Sequence, residues 1–284
     1  YVESKNNNAE ALLKRFRICF GEYARKQNIV AEFIRFHPCF ETQFSLVYNS
    51  IETKFHAEHV VISLDQSEAE ILSGCRSRVR SAIRQTARLG YQIERVRQID
   101  GYKEFSELYA VSMARHNHTG YLNFPQALFM DLFHNLGNHL ELFAIRHRGR
   151  IISSALIIKQ SNHIDYFLAA NERCHEVKYA NHFLIFEIAR WAKLRGFKCF
   201  HLGGGARSLM QFKSGFSKST KSYFIGRSIF LKAEYGCLLK AGQEAGFINT
   251  PLSIEFFPEY RAFKSNESEP SLEVQLMNDH TKVV

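Results

Sequence analysis

At 284 residues, 45% of them hydrophobic, the chain suits one large or two small domains with a substantial core. No apolar run reaches the roughly 18 residues of a membrane span. The net charge of +9 favours an anionic partner: a nucleotide, a phosphorylated sugar, tRNA or a membrane surface.

The six cysteines, Cys19, Cys39, Cys75, Cys174, Cys199 and Cys237, form no CxxC pair. They argue against a disulfide frame or a thiolate zinc site and suit a reduced, cytoplasmic protein. The chain opens on Tyr1 almost directly in a helical pattern, with no initiator Met, and reads as lacking an N-terminal piece.

Asn8 is placed to cap a helix over 9–26, with Leu12, Leu13, Phe16, Phe20 and Tyr23 on one face. A strand pattern follows over 29–36 and stops at Pro38. Glu32 and Arg35 interrupt its apolar run. They read either as solvated charges on an edge strand or, with His37, as the lining of a substrate cleft. A second strand is expected over 59–64, and Asp65 or Ser67 then caps a helix beginning near Glu68.

The stretch 74–90 is a basic helix with Val79, Ile83, Ala87 and Leu89 as its apolar stripe and Gly90 as its C-cap. Arg80, Arg84 and Arg88 recur every four residues and share a face. They form either a solvated face or a site for an anion, nucleic acid among the candidates. Residues 91–96 alternate as a strand, and helices follow over 102–115 and 125–136. His116 and His118, in the loop between those helices, lack a recognisable third ligand. They suggest the margin of a substrate pocket, and no metal is expected.

Strands over 140–147, 150–159 and 163–170, joined by Arg148-Gly149 and Ser161-Asn162, form an antiparallel meander. A helix over 179–195 ends at Gly196. The strand after it runs to Leu202, and His201 in it reads as a histidine at the edge of the core. A strand over 222–231 has Gly226 as a possible bulge, and a helix is expected over 233–247. From Ser265 the chain is polar and acidic and reads as a loosely attached tail.

The chemistry concentrates in HLGGGARSLMQFKSGF, residues 201–216. A strand ends in Gly203, Gly204 and Gly205, and a short helix follows with Leu209, Met210, Phe212 and Phe216 as its apolar face. Glycines let a ligand approach the backbone, and a helix start attracts anions. Arg207 and Lys213 add cations. It is not a P-loop, because no Gly-Lys-Ser/Thr closes it.

The order of elements from 100 to 231 resembles a GNAT-fold acyltransferase domain. More narrowly, HLGGG with Phe212-Lys213 and Gly215-Phe216, the EFIRFHP segment and the Arg-rich helix resemble the Fem-like peptidoglycan-bridge aminoacyltransferases, which are tandem GNAT proteins. The resemblance implies an α/β (α+β) fold with a mixed, largely antiparallel sheet flanked by helices. It implies a partial first copy at 1–98, a second at 99–235, and a C-terminal helix and polar tail at 236–284.

It further implies direct acyl transfer to an amine of a cell-envelope or nucleotide-sugar acceptor, from acetyl-CoA or an aminoacyl-tRNA. Lys213 and Tyr166 would be catalytic. Glu32, Arg35, His37, the three glycines and Arg207 would bind substrate, and Arg80, Arg84 and Arg88 an anion or nucleotide. Departures are the loop 171–178, which lacks a glycine, and Leu168, which stands where an aromatic alternates with Tyr166 in that family. The rival reading is a non-catalytic module that holds nucleic acid or another anion through the Arg-rich helix.

Overall fold

A computed structural model describes residues 7–40, 51–115, 123–172, 177–245 and 257–261. They group into two compact units: His59–Lys221, and the residues up to Glu58 together with those from Ser222 on. This grouping cuts at 58/59 and 221/222; the divisions at 98/99 and 235/236 are those the resemblance implies.

In the unit His59–Lys221 the strands run in the order β2 (Glu52–Ser63, from His59 on), β7 (Cys199–Gly203), β6 (His163–Asn171), β5 (Arg150–Gln160), β4 (Leu140–His147) and β3 (Glu94–Val96). All neighbours are antiparallel except β6 and β7. The expected meander is present, and Arg148, Gly149 and Ser161 take the positive φ that two-residue hairpin turns require.

Helices cover both faces. On one, α2 (Glu68–Gly74), α3 (Ser77–Arg88) and α6 (Ala180–Leu194) bury Ile71, Val79, Ile83, Phe183 and Trp191 with Phe143 and Phe200. On the other, α4 (Ile99–Arg115) and α5 (Gln126–Leu136) bury Phe105 and Phe129 against Leu142, Leu156 and Leu168. Strand β4, next to the edge strand β3, is therefore buried on both faces from Leu140 to Ile145. Helix α2 starts on a capping box: Ser67 Oγ accepts from the Glu70 N–H at 3.2 Å, and Glu70 Oε2 accepts from the Ser67 N–H at 2.7 Å.

The other unit holds α1 (Asn7–Lys26), β1 (Ala31–Phe36), the first seven residues of β2, β8 (Thr220–Ile229, from Ser222) and α8 (Lys232–Glu244). Strand β2 begins earlier than expected, because its polar start, Glu52–Glu58, lacks the alternation that marks a half-buried strand. Gly226 is not a bulge: β8 pairs with β1 in unbroken register from Phe36–Phe224 to Ala31–Ile229. The glycine is needed because a Cβ there would come within 2.9 Å of the Phe36 ring.

Helix α1 also departs from its periodicity. Leu12 and Phe16 are more than half exposed, and the helix is seated by Arg17 and by Phe20 against Phe230. The segments carrying His116, His118 and the polar tail lie outside the described residues.

Candidate active site at the parting of two strands

Strands β6 and β7 pair over only three rungs: His163–Cys199, Ile164–Phe200 and Asp165–His201. Beyond the last rung β6 continues to Asn171 and β7 to Gly203. Both strands are bent just past that rung. Against β5, the register jumps from Leu168 to Tyr166 across the Leu156/Ile157 step, which makes Phe167 the bulged residue. Against β2, it jumps from Gly203 to His201 across Val60/Val61, which makes Leu202 the bulged residue. A bulge bends its strand and sharpens its twist, so a pair of them here accounts for the parting.

The bulge also changes the faces. Ile164, Tyr166 and Ala169 pack against one core, whereas Phe167, Leu168 and Ala170 pack against the other. Tyr166 and Leu168 thus point to opposite faces, so the expected alternation between those two positions fails for a geometric reason.

The glycine turn closes this end of the wedge. Gly203 and Gly205 take φ of +79° and +131°, which a side chain resists. A Cβ on Gly203 would lie 3.3 Å from Lys213 Nζ. Lys213 ends α7 (Arg207–Lys213) and is buried, its ammonium donating to the Gly204 carbonyl. The buried face of α7 is Met210, Phe212 and Lys213, so Leu209 is exposed instead of joining it. Arg207 stands exposed at the helix start.

Two contacts fix α7 from behind. The Arg76 N–H donates to the Gly215 carbonyl at 2.8 Å, and a Cβ on Gly215 would meet Val79 Cγ2 at 2.8 Å. Phe212 and Phe216 pack on His182 of α6, with ring centroids 5.1 and 5.8 Å away. Burial, then the nearby Arg78 charge, lowers the His182 pKa and keeps the ring neutral.

Tyr166 donates its O–H to Asn181 Oδ1 at 3.1 Å, at the start of α6. Burial pushes its phenol pKa well up, against the weaker opposing pull of the Asn181 hydrogen bond, so it is a donor and not a base. On the opposite sheet face His201 Nδ1 lies 2.7 Å from Asp165 Oδ1, and His201 Nε2 lies 2.9 Å from His59 Nδ1. The sequence reading missed this cluster. Its only local signals are Asp165 and His201 within apolar strands.

The arginine helix is mixed in role. Arg80 donates to the Ser73 carbonyl at 3.0 Å and to that of Cys75, satisfying the C-terminal end of α2. Arg84 and Arg88 are exposed. A cavity of about 390 Å³ lies beside this end, lined among others by Ser73, Arg76, Arg80, Ser217 and Lys218. Cys75 also lines it, and burial pushes that thiol up to about 11, with Arg80 opposing.

Glu32, Arg35 and His37 belong to the other unit. Glu32 makes a two-pronged ion pair with Arg17, at 2.9 and 2.6 Å. Arg35 is exposed, and His37 Nδ1 accepts from the Cys39 N–H at 3.2 Å. Among the described residues no helix is long and apolar enough to cross a membrane.

Residues 73–214 match the family model described as the acetyltransferase (GNAT) domain. Among solved structures, FemX superposes with a TM-score of 0.67 over 80% of this chain and 79% of that one, at 14% identity. The C-terminal domain (DUF2156) of a putative lysylphosphatidylglycerol synthetase from Agrobacterium fabrum gives 0.54 over 74% and 71%, at 16% identity. L-PGS from Bacillus licheniformis gives 0.54 over the same shares, at 13% identity. These identities speak for the fold. No curated protein sequence matches the chain.

Proposed function

The chain belongs to the acetyltransferase (GNAT) domain family, and from that premise we propose direct transfer of an acyl group to an amine on an anionic acceptor of the cell-envelope or nucleotide-sugar type. The observation that carries this reading is the wedge between β6 and β7, with buried Lys213 at its glycine turn. Parted strands leave main-chain N–H and C=O groups facing one another, and an extended amide-bearing molecule satisfies them as an added strand would. Acyl-CoA has that character, and when bound it would supply the thioester.

The chain's own residues suit such a donor. Gly203 keeps the turn bare, and Lys213 brings three N–H donors and a positive charge to a water-poor place. There the ammonium stabilises the oxyanion that forms on the attacked carbonyl, or a phosphate of donor or acceptor. Tyr166 holds Asn181 and through it the start of α6. Arg207, exposed at the helix start, is the candidate for an acceptor phosphate in its unit, and Glu32, Arg35 and His37 are the candidate substrate-binding residues of the other unit. Cys75 stays a thiol at neutral pH, which favours direct attack over a covalent intermediate on that residue.

The acceptor class draws on the Fem-like resemblance, with a lysylphosphatidylglycerol synthetase domain sharing the fold. The tandem organisation, with divisions at 98/99 and 235/236, belongs to the same proposal.

The test is calorimetric titration of acetyl-CoA into the intact chain and into Lys213→Ala. Micromolar binding that weakens in the variant supports the reading. No binding to the folded chain overturns the CoA donor and turns the test to aminoacyl-tRNA, whose affinity would fall steeply with salt. Failure of both donors leaves the non-catalytic anion module. Arg80 argues against that module, since its guanidinium already serves α2.

A further inference from the structure

Like charges drawn around one hollow repel one another unless something negative sits among them. Three cations, Arg76, Arg80 and Lys218, line the cavity of about 390 Å³ beside the end of α2. All three belong to the unit His59–Lys221, and no carboxylate lines the cavity among the described residues. The acids on the approach to α2 and in its first turn are committed elsewhere. Asp65 pairs with Lys198 at 2.7 Å, Glu68 with Arg190 at 2.7 Å, and Glu70 accepts from the Ser67 hydroxyl at 2.7 Å.

Two of the cations are held in place by the fold. Arg80 donates through Nη1 to the Ser73 carbonyl at 3.0 Å and to that of Cys75, which leaves Nε and Nη2 to give. Arg76 donates through Nη2 to Ser214 Oγ at 3.1 Å, which leaves Nε and Nη1. Its backbone N–H is fixed on the Gly215 carbonyl at 2.8 Å. The segment after α7 completes the lining. The Ser219 carbonyl ties it to β2, accepting from the Val61 N–H at 3.0 Å. The Ser219 N–H donates to Ser217 Oγ at 3.0 Å, so that hydroxyl keeps its own hydrogen to donate. Beneath lie Ile62, Ile71 and Phe216, each 2% exposed.

The charge count selects the ligand. A carboxylate brings one negative charge to three cations. A phosphoryl group brings more charge and three acceptor oxygens, which suit two guanidinium edges and an ammonium. We propose that this cavity binds a phosphoryl group, held by Arg76, Arg80 and Lys218 with the Ser217 hydroxyl. The site is distinct from the glycine turn, since neither Lys213 nor any of the three glycines lines it. Ser214 and Gly215, which Arg76 grips, directly follow Lys213, so a phosphoryl group on Arg76 braces the end of α7.

The test titrates the intact chain with sodium phosphate, with chloride holding the ionic strength constant. Phosphate is expected to raise the melting temperature saturably over the millimolar range, as a ligand of the folded state does. The amide NMR signals of Ser217, Lys218 and Ser219 should shift along the same curve. Arg76→Ala and Lys218→Ala are each expected to weaken phosphate about tenfold or more, as loss of a charge-assisted hydrogen bond does. Lys213→Ala should leave its affinity within about twofold, and acetate should bind about tenfold more weakly than phosphate.

A rise that never saturates and is equal in the parent and in the Arg76→Ala/Lys218→Ala double variant is the general effect of an excluded salt and overturns the site. A loss in Lys213→Ala that matches the other variants places the anion at the glycine turn and overturns it too. Equal binding of acetate overturns the phosphoryl assignment. Lys218 is exposed, so its variant decides the matter should Arg76→Ala fail to fold. Inorganic phosphate, a nucleoside monophosphate and coenzyme A titrated side by side tell the sources apart. Equal binding of all three supports a seat for free phosphate. Tighter binding of a nucleotide, lost in the same variants, supports a phosphoryl group carried by a substrate. The titration needs no acyl transfer, so its failure and the failure of the acyl-transfer reading are separate results.

Discussion

Two sets of buried charge sit in the same unit and differ in kind. Where β3, β4 and β5 lie side by side, Glu141 is gripped by Arg95 at 2.6 and 3.1 Å and by Lys159 at 2.7 Å. Arg95 also lies over the Trp191 ring, 5.2 Å from its centroid. Burial works against the Glu141 carboxylate, but the two cations outweigh it and hold its pKa below the usual range. Where β6 and β7 part, Lys213 turns its ammonium to a neutral carbonyl and two imidazoles share one hydrogen. The first set is opposite charge in regular cross-strand register, and it holds strands together. The second lies where register is broken by two bulges, and its groups are suited to charge that comes and goes.

That contrast is open to attack from both sides. The largest expected effect is on the Lys213 side: Lys213→Ala should lower the turnover number for acyl transfer by about 10²–10³-fold, as loss of an oxyanion donor does, while a melting curve stays cooperative. Glu141→Gln should do the converse. Removing the anion from between two half-buried cations should cost about 2 kcal/mol of stability, read by denaturant unfolding, with acyl-transfer kinetics unchanged in the folded fraction. Because the Glu141 pKa is lowered by folding, its contribution is fully present above the unfolded value of about 4.3 and is lost as pH falls through the folded value. The variant should therefore show a shallower acid limb.

Gly203→Ala tests the turn itself. A positive φ costs a non-glycine residue roughly 1–2 kcal/mol, and the added methyl should push Lys213 Nζ aside, so donor affinity should fall more than stability does. His182 gives a smaller, graded signal. Its pKa is lowered in the folded chain, so below about pH 6.5 the unfolded chain takes up a proton that the folded one resists. Stability should fall with pH there, and less so in His182→Gln, by thermal melts. Smallest of all, Arg84→Ala with Arg88→Ala should leave stability within about 0.5 kcal/mol and donor binding unchanged. A large loss of anion binding would instead favour the arginine helix as the working surface.

Much of the unit that carries these sites was legible in the sequence. The β4–β5–β6 meander follows from apolar strands punctuated by turn residues that accept positive φ, and α3 from its stripe of Val79 and Ile83 ending at Gly90. The burial of Lys213 was within reach, since Met210 and Lys213 are three apart and share a helix face. Glu32 was not within reach: its partner Arg17 lies 15 residues away, and only folding sets the two against each other.

The sequence by itself determined the elements, the glycine turn and the lysine helix after it, because each depends on neighbours within a few residues. Tertiary structure alone decided where β6 and β7 part, which way Tyr166 and Leu168 face, and that His59 meets His201, 142 positions along the chain. A one-residue bulge leaves no mark in composition or period, yet it shifts every later side chain to the other face of the sheet. Chemistry assembled across strands is set by such shifts, so it becomes visible only once the register is known.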